Sequence, residues 1–185
     1  MQTEQDLRIL DEPTPESSIY LLFGDINNES VADASGWLLQ ANFEKKKPKQ
    51  LTLLINSPGG DLHAAFAFIE LMRGSSIPIH TVALGQICSA GLFIFMAGAK
   101  GHRTLTPTCT IMSHTYATGI EGDHHALISI AKELNWTHER ILRHYVRETG
   151  LDAETIKEKL IGKGDFFFSP EEAIKLNLAD SIKGL

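Results

Sequence analysis

The sequence predicts a single α/β domain, and two observations support that fold class. Short apolar segments of strand-like composition alternate with segments whose apolar residues recur at helical spacing. The chain has 185 residues, of which 43% are hydrophobic and 22% are charged, as is ordinary for one globular domain. Residues 1–18 are acidic and contain two prolines, so we expect a mobile N-terminal arm. Residues 19–185 are then the domain.

The first half of the domain begins with a strand and a helix. Residues 19–23 (IYLLF) predict a strand, and Ser30 is the predicted N-cap of the next helix. Residues 51–56 (LTLLIN) are apolar at nearly every position, which is typical of a strand covered on both faces. A turn over residues 57–60 (SPGG) then leads into a second amphipathic helix with Asp61 near its start.

A third strand and three further helices are predicted after the second amphipathic helix. Residues 77–84 predict a strand, and a buried helix starts at Ser89. A long helix is predicted over about residues 123–149, where Gly150 supplies a left-handed terminator. That helix is longer than a small core requires, which suggests a projecting or subunit-contacting element. A capping box over residues 169–172, with proline at the first helical position, opens the last helix.

Charge and cysteine content narrow the function classes. Lys and Arg number 17 against 23 Asp and Glu, so the formal net charge is −6. This balance argues against capture of nucleic acid or of an anionic membrane surface and favours protein or peptide partners. Cys88 and Cys109 are too few for a disulfide framework, so a reducing cytoplasm is expected. The apolar run 88–99 is about half the length that a membrane helix needs.

Three segments carry residues suited to nucleophilic chemistry. Ser89 follows a strand at the start of a helix, where free backbone amides can stabilise an oxyanion, although the local sequence alone favours a simple helix cap. Cys88 is a rival nucleophile, because a thiolate at a helix start is acidified. Residues 55–60 (INSPGG) can turn backbone amides toward a ligand or form an ordinary turn. His114 ends a short apolar strand, where a general base is well placed but a structural histidine is also common.

Taken together, these blocks resemble one family. The order is INSPGG at residues 55–60, GQICSAGLF and AGAKG over residues 85–101, IMSH at residues 111–114 and DFFFS at residues 165–169. This order is similar to that of the ClpP family of serine endopeptidases, over about residues 19–182. The resemblance implies a ClpP/crotonase-like fold of repeated β-β-α units with a protruding handle helix at about residues 123–149.

The resemblance also implies roles for particular residues. Ser89 would be the nucleophile, His114 the general base and Asp165 the carboxylate that orients the imidazole. The backbone amides of Gly60 and Ala90 match the oxyanion hole of the family. Substrate binding is expected at Gly59 and Thr115. No metal or organic cofactor is implied, since a separate unfoldase would use the ATP.

The family further implies an assembly and its partners. The expected state is a homo-heptamer, stacked as a 14-mer through the handle helices, that cleaves unfolded proteins or peptides inside a cytoplasmic chamber. An AAA+ unfoldase such as ClpX or ClpA is the implied partner. The short acidic arm at residues 1–18 departs from the family, so docking of an unfoldase stays open. A processing protease without an unfoldase, for example a viral one that matures capsid or scaffold proteins, is the competing hypothesis.

The sequence leaves alternatives open for the catalytic acid and base, and for the activity that this fold carries. Asp180 and Asp61 are rival acids to Asp165, and Lys100 would be the base of a Ser/Lys enzyme. A crotonase-type enzyme acting on a thioester and an inactive ring subunit share the predicted architecture, because a fold alone does not determine function. Glu121 could share a metal with a histidine four positions later, but the polar cluster at residues 121–125 suits a solvated or inter-ring face better.

Overall fold

The computed structural model of the protein describes residues 18–116 and 123–184, so the arm before Ser18 lies outside the described residues. The order of elements is β1 (Ile19–Phe23), α1 (Asn28–Phe43), β2 (Leu51–Ser57), α2 (Leu62–Gly74), β3 (Ile79–Cys88), α3 (Ala90–Met96), β4 (Arg103–Leu105), β5 (Thr110–His114), α4 (His124–Thr149), α5 (Ala153–Lys159), β6 (Asp165–Phe168), α6 (Pro170–Lys175) and β7 (Ser181–Ile182). The predicted α/β class is confirmed, with a mostly parallel sheet and helices packed against it.

The sheet branches at β3, and the branch positions the site. The main path runs β1-β2-β3-β4-β7 with parallel pairing throughout. Thr81 to Ala83 of β3 pair with β4, whereas Gln86 to Cys88 pair with β5. Strand β6 then lies antiparallel to β5. The ends of β3 and β5 and the start of β6 therefore meet at one edge of the sheet.

Two predicted boundaries are wrong for identifiable reasons. Strand β3 extends four residues past the predicted end at Leu84, because β5 supplies hydrogen-bonding partners to its final segment. Helix α1 starts at Asn28 with Asn27 as its N-cap, not at Ser30. The Asn27 side chain accepts the Ser30 N–H at 2.9 Å, and the Ser30 hydroxyl accepts the Asn27 N–H at 3.0 Å. Ser30 thus completes a capping box in which Asn27 has the leading role.

Helix α4 divides into an exposed and a buried half. Ile141 and Tyr145 in its second half are almost wholly buried in the core. In its first half Ile128 is 57% exposed and Trp136 is 55% exposed. The helix ends at Gly150, whose φ of 75° is the predicted left-handed terminator. Tertiary packing within one copy of the chain therefore stabilises chiefly the second half of α4.

The apolar run at residues 88–99 forms the end of β3 and the buried helix α3. Among the described residues, no helix is both long enough and apolar enough to cross a membrane.

Candidate active site

Ser89 lies at the junction between β3 and α3 in a strained conformation. Its φ of 51° and ψ of −119° lie outside the regions that serine normally adopts, and such a backbone costs roughly 1–3 kcal/mol. Although Ser89 occupies the N-cap position, its side chain makes no capping hydrogen bond. The Oγ atom instead lies 2.8 Å from Nε2 of His114. The simple helix-cap interpretation of Ser89 is therefore wrong.

His114 and Asp165 form a cross-strand pair at the same edge of the sheet. His114 is the last residue of β5, Asp165 is the first residue of β6, and the antiparallel register places them directly opposite each other. The Nδ1 atom of His114 lies 3.3 Å from Oδ1 of Asp165. A proton on Nδ1 is then held by the carboxylate, which leaves Nε2 free to accept the hydroxyl proton of Ser89. The structure thus brings the three predicted side chains together, with a hydrogen bond between Ser89 and His114 and an ion-pair contact between His114 and Asp165.

The rival acids are engaged elsewhere. The carboxylate of Asp61 accepts the N–H groups of His63 and Ala64 and so caps helix α2. Asp180 forms an ion pair with Arg103, with 2.6 Å between Oδ1 and the guanidinium. Burial alone would raise the pKa of Asp180, but the hydrogen bonds and charge of Arg103 outweigh it and lower that pKa. Among the described carboxylates, Asp165 is the one paired with His114.

The rival nucleophile and the rival base also have other surroundings. Cys88 is 5% exposed, and burial raises the pKa of its thiol, which works against the thiolate form that attacks a carbonyl. Lys100 forms an ion pair with Glu148 at 3.2 Å. The imidazole of His114 meets the hydroxyl of Ser89, so the geometry favours serine over cysteine as the activated group.

The glycine loop between β2 and α2 packs directly against Ser89. A Cβ atom on Gly59 would lie 2.8 Å from the Cβ of Ser89, so only glycine fits at this approach. The loop is fixed by a bridge to Ile26, whose N–H donates to the Gly59 carbonyl and whose carbonyl accepts the N–H of Asp61. That bridge does not use the N–H of Gly60. The N–H of Ala90, in the first turn of α3, has no intrahelical acceptor either.

A cleft of about 460 Å³ opens in front of Ser89 and His114. Its walls come from the glycine loop, α3 and the middle of α4, and the α4 residues are Glu133, Leu134, Thr137 and Ile141. Phe93 and Tyr116 also line it, and the Tyr116 hydroxyl donates to the Leu134 carbonyl at 2.8 Å. The α4 wall was not predicted from the sequence, since nothing local to α4 marks it as facing a site.

Thr115 does not line this cleft. Its hydroxyl donates to the Ile161 carbonyl at 2.5 Å, which joins the end of β5 to the segment after α5. The neighbouring Tyr116 takes the place in the cleft that was predicted for Thr115. In the part of the chain that the structure describes, no group of three or more His, Cys, Asp or Glu residues is arranged to hold a metal ion. Glu121, one half of the disfavoured metal pair, lies outside that part.

Comparison with known proteins decides the family. The sequence model of the Clp protease family matches residues 4–184 of the chain. The chain belongs to the Clp protease family. A curated relative, the ATP-dependent Clp protease proteolytic subunit of Deinococcus radiodurans, is 33% identical over 140 residues, which cover 75% of this chain and 68% of the relative. This Clp protease is accordingly a peptidase of the ClpP type, and the resemblance inferred from its sequence blocks is confirmed.

Proposed function

We propose that this Clp protease is a serine endopeptidase in which Ser89, His114 and Asp165 act as nucleophile, general base and orienting carboxylate. The observation that carries the proposal is the continuous contact from Ser89 Oγ to His114 Nε2 at 2.8 Å and from His114 Nδ1 to Asp165 at 3.3 Å. A crotonase-type enzyme acting on a thioester would have no use for this row of side chains.

The reaction follows from these contacts. As the Ser89 hydroxyl attacks the carbonyl carbon of a peptide bond, its proton passes to Nε2 of His114. The imidazolium is stabilised by Asp165 and then protonates the leaving amine, so that the C–N bond breaks and an acyl-enzyme remains. A water molecule, deprotonated by His114, hydrolyses the ester and returns Ser89 to its initial state. Every proton is carried by a side chain of the described site.

The oxyanion of the tetrahedral intermediate would be held by the N–H groups of Gly60 and Ala90. Neither is used by the bridge to Ile26 or by the α3 helix, which supports a role for both as donors to the oxyanion. The loss of one donor of this kind typically costs about 10²–10³ in kcat. Gly59 supports them by its close contact with Ser89.

We further propose that copies of the chain assemble into a homo-heptamer, stacked as a 14-mer, whose chamber admits unfolded proteins or peptides. Support comes from apolar surface that one copy leaves uncovered: alternate residues of β1, with Ile19 and Leu21 each 58% exposed, and the first half of α4. Exposed apolar patches of this kind commonly mark protein interfaces. An AAA+ unfoldase such as ClpX or ClpA would use the ATP, the peptidase itself would need no cofactor, and the compartment would be cytoplasmic.

Replacement of the nucleophile tests the chemistry. Ser89→Ala is expected to abolish hydrolysis of fluorogenic peptides and labelling by a fluorophosphonate, whereas the neighbouring Cys88→Ala keeps both. Peptide mapping of the label should identify Ser89, and light scattering of the same sample gives the mass of the assembly. Full activity in Ser89→Ala would refute the assignment, and a monomer that hydrolyses peptides would refute the chamber alone.

A further inference from the structure

A second cavity lies between α2 and α4 and carries an unusual concentration of arginine. Its volume is about 630 Å³, somewhat larger than that of the catalytic cleft. Arg73 of α2 lines it together with Arg140, Arg143 and Arg147 of α4. The α4 arginines are three or four positions apart and therefore share one face of the helix. A chain with a formal net charge of −6 thus gathers four guanidinium groups around one cavity.

Two of these arginines are paired with carboxylates of the chain. Arg73 contacts Glu70 at 2.6 Å and the buried Glu148 at 3.0 Å. Arg140 contacts Glu133 at 3.2 Å. The Nε atoms of Arg73 and Arg140 are nevertheless buried and have no hydrogen-bond partner among the described residues. Each of these paired guanidiniums therefore keeps an unused donor.

The other two arginines are little compensated. Arg143 forms no ion pair with any described residue, and the Nε atom of Arg147 approaches Glu148 only at 3.6 Å. Glu148 already serves Arg73 and Lys100, so it cannot neutralise a third cation fully. Both Arg143 and Arg147 are exposed at the mouth of the cavity. The cavity consequently retains positive charge and donors suited to an anionic group.

The cavity adjoins the catalytic cleft. His63 lines both spaces, and its Nε2 atom lies 3.8 Å from Glu133 of the cleft wall. Their floors are continuous as well, because Phe93 of the cleft stacks on Phe66 of the cavity with 6.0 Å between ring centroids. A peptide bound in front of Ser89 therefore has the arginine-lined cavity beside it.

We infer that this cavity is a specificity subsite that binds an acidic side chain, aspartate or glutamate, of the peptide whose scissile bond lies at Ser89. The inference rests on the proposed peptidase function and extends it to a substrate class. Guanidinium groups bind carboxylates through paired, charge-assisted hydrogen bonds, and an aromatic floor accommodates the methylene groups of the same side chain. A volume of about 630 Å³ is ample for one such side chain.

Matched peptides test the subsite. Fluorogenic peptides that differ only in Glu or Gln are compared by kcat/KM at each of several positions around the scissile bond. At one position we expect Glu to be preferred by about tenfold or more, the value of a charged hydrogen bond. The double variant Arg143→Glu/Arg147→Glu should abolish or invert that preference. Both side chains are exposed, so the variant should fold.

A matched control removes the same charge elsewhere. Lys49→Glu/Lys157→Glu changes two exposed lysines that line neither space, and it should keep the preference for Glu. Hydrolysis with a Glu/Gln ratio near one at every position would overturn the subsite and leave the peptidase intact. A charge reversal that changes the mass of the assembly but not the ratio would overturn it too, since the cavity would then belong to an interface between copies.

Binding to an inactive variant separates this inference from the proposed chemistry. Fluorescence anisotropy of labelled peptides on Ser89→Ala should show tighter binding of the Glu peptide than of the Gln peptide, whether or not the wild type hydrolyses either. If no peptide is hydrolysed and Ser89 does not label, the proposed function fails, while unequal binding would still support the subsite. Equal binding of the two peptides would overturn it.

Discussion

Replacement of Gly60 by alanine should remove catalysis through a backbone displacement that can be worked out from the structure. Gly60 has a φ of 143°, which an L-residue rarely adopts, and an added Cβ would collide with the backbone carbonyl of Ile26. Backbone strain of this kind costs roughly 1–3 kcal/mol. The collision also breaks the bridge, whose two hydrogen bonds of 2.8 and 2.7 Å contribute about 1 kcal/mol each. We expect the free energy of unfolding to fall by roughly 3–5 kcal/mol.

The catalytic effect follows from the same displacement. Once the loop leaves Ile26, the proposed oxyanion donor, the Gly60 N–H, would no longer be held in place beside Ser89. The kcat for a fluorogenic peptide should then fall by about 10²–10³ at a temperature where the variant is still folded. Circular dichroism and urea titration give the folded fraction, and initial rates give kcat.

Gly101→Ala is the control for backbone strain without a collision. Gly101 has a φ of 82°, and an added Cβ would meet no atom within 4 Å. Its replacement should cost about 1 kcal/mol of stability and leave kcat unchanged. If Gly60→Ala kept wild-type kcat and lost no more stability than Gly101→Ala, both the oxyanion role of Gly60 and the bridge argument would be wrong.

Three further outcomes are expected. Asp165→Asn should lower kcat by about 10³–10⁴ and change the free energy of unfolding by less than about 1 kcal/mol. Asp180→Asn should keep kcat but lower the free energy of unfolding in urea titrations by about 3 kcal/mol, because its partner Arg103 is buried. The reverse pattern would exchange the roles of the two aspartates. Burial lowers the pKa of His144 to about 4, so as the pH falls this imidazole is protonated in the unfolded chain before it is protonated in the folded protein, and the free energy of unfolding should fall by roughly 3 kcal/mol between pH 7 and 4. The His144→Gln variant should lose less stability over that range. An equal loss would contradict the buried, neutral state of His144. Burial raises the pKa of Cys109 to about 11, so iodoacetamide at pH 8 should modify this thiol at least about a hundredfold more slowly in the folded protein than in urea. Mass spectrometry measures the two rates, and equal rates would contradict the burial of Cys109.

The local features of the fold were largely predictable from the sequence. Strand β2 follows from a run that is apolar at nearly every position, and helix α6 follows from a capping box with proline at its first position. Gly150 ends α4 as a left-handed residue, as expected for its type. These features depend on residues close together in the chain, which is why patterns of spacing and composition suffice for them.

The candidate site was predictable only in part. Spacing marked Ser89, the glycine loop and His114 as separate candidates, and the family resemblance joined them with Asp165. The sequence could not show that Thr115 turns away from the cleft toward Ile161, because that hydrogen bond joins positions 46 residues apart. The arginine-lined cavity was missed for the same reason, since Arg73 and Arg143 line one cavity only because α2 lies beside α4 in the fold.

One irregularity in β3 explains how the site comes together. Ile55 of β2 pairs with Ala83 and Ser57 pairs with Ile87, so β3 contains extra residues opposite Asn56. Gly85 stands within this bulge with a φ of 63°, and the Asn56 side chain accepts the Gln86 N–H at 3.2 Å. Bulges bend a strand and redirect the residues after them.

Because of this bend, the first part of β3 pairs with β4 and its last part pairs with β5. Ser89, the residue that follows β3, donates its N–H to the Met112 carbonyl of β5 at 2.9 Å. Because His114 lies only two residues further along β5, the strand that carries the proposed base is bonded directly to the backbone of the proposed nucleophile. The distance between Ser89 and His114 is therefore set by the sheet itself and not by a loop. The INSPGG block serves this geometry twice, since Asn56 holds the bulge and Gly59 allows the close approach to Ser89.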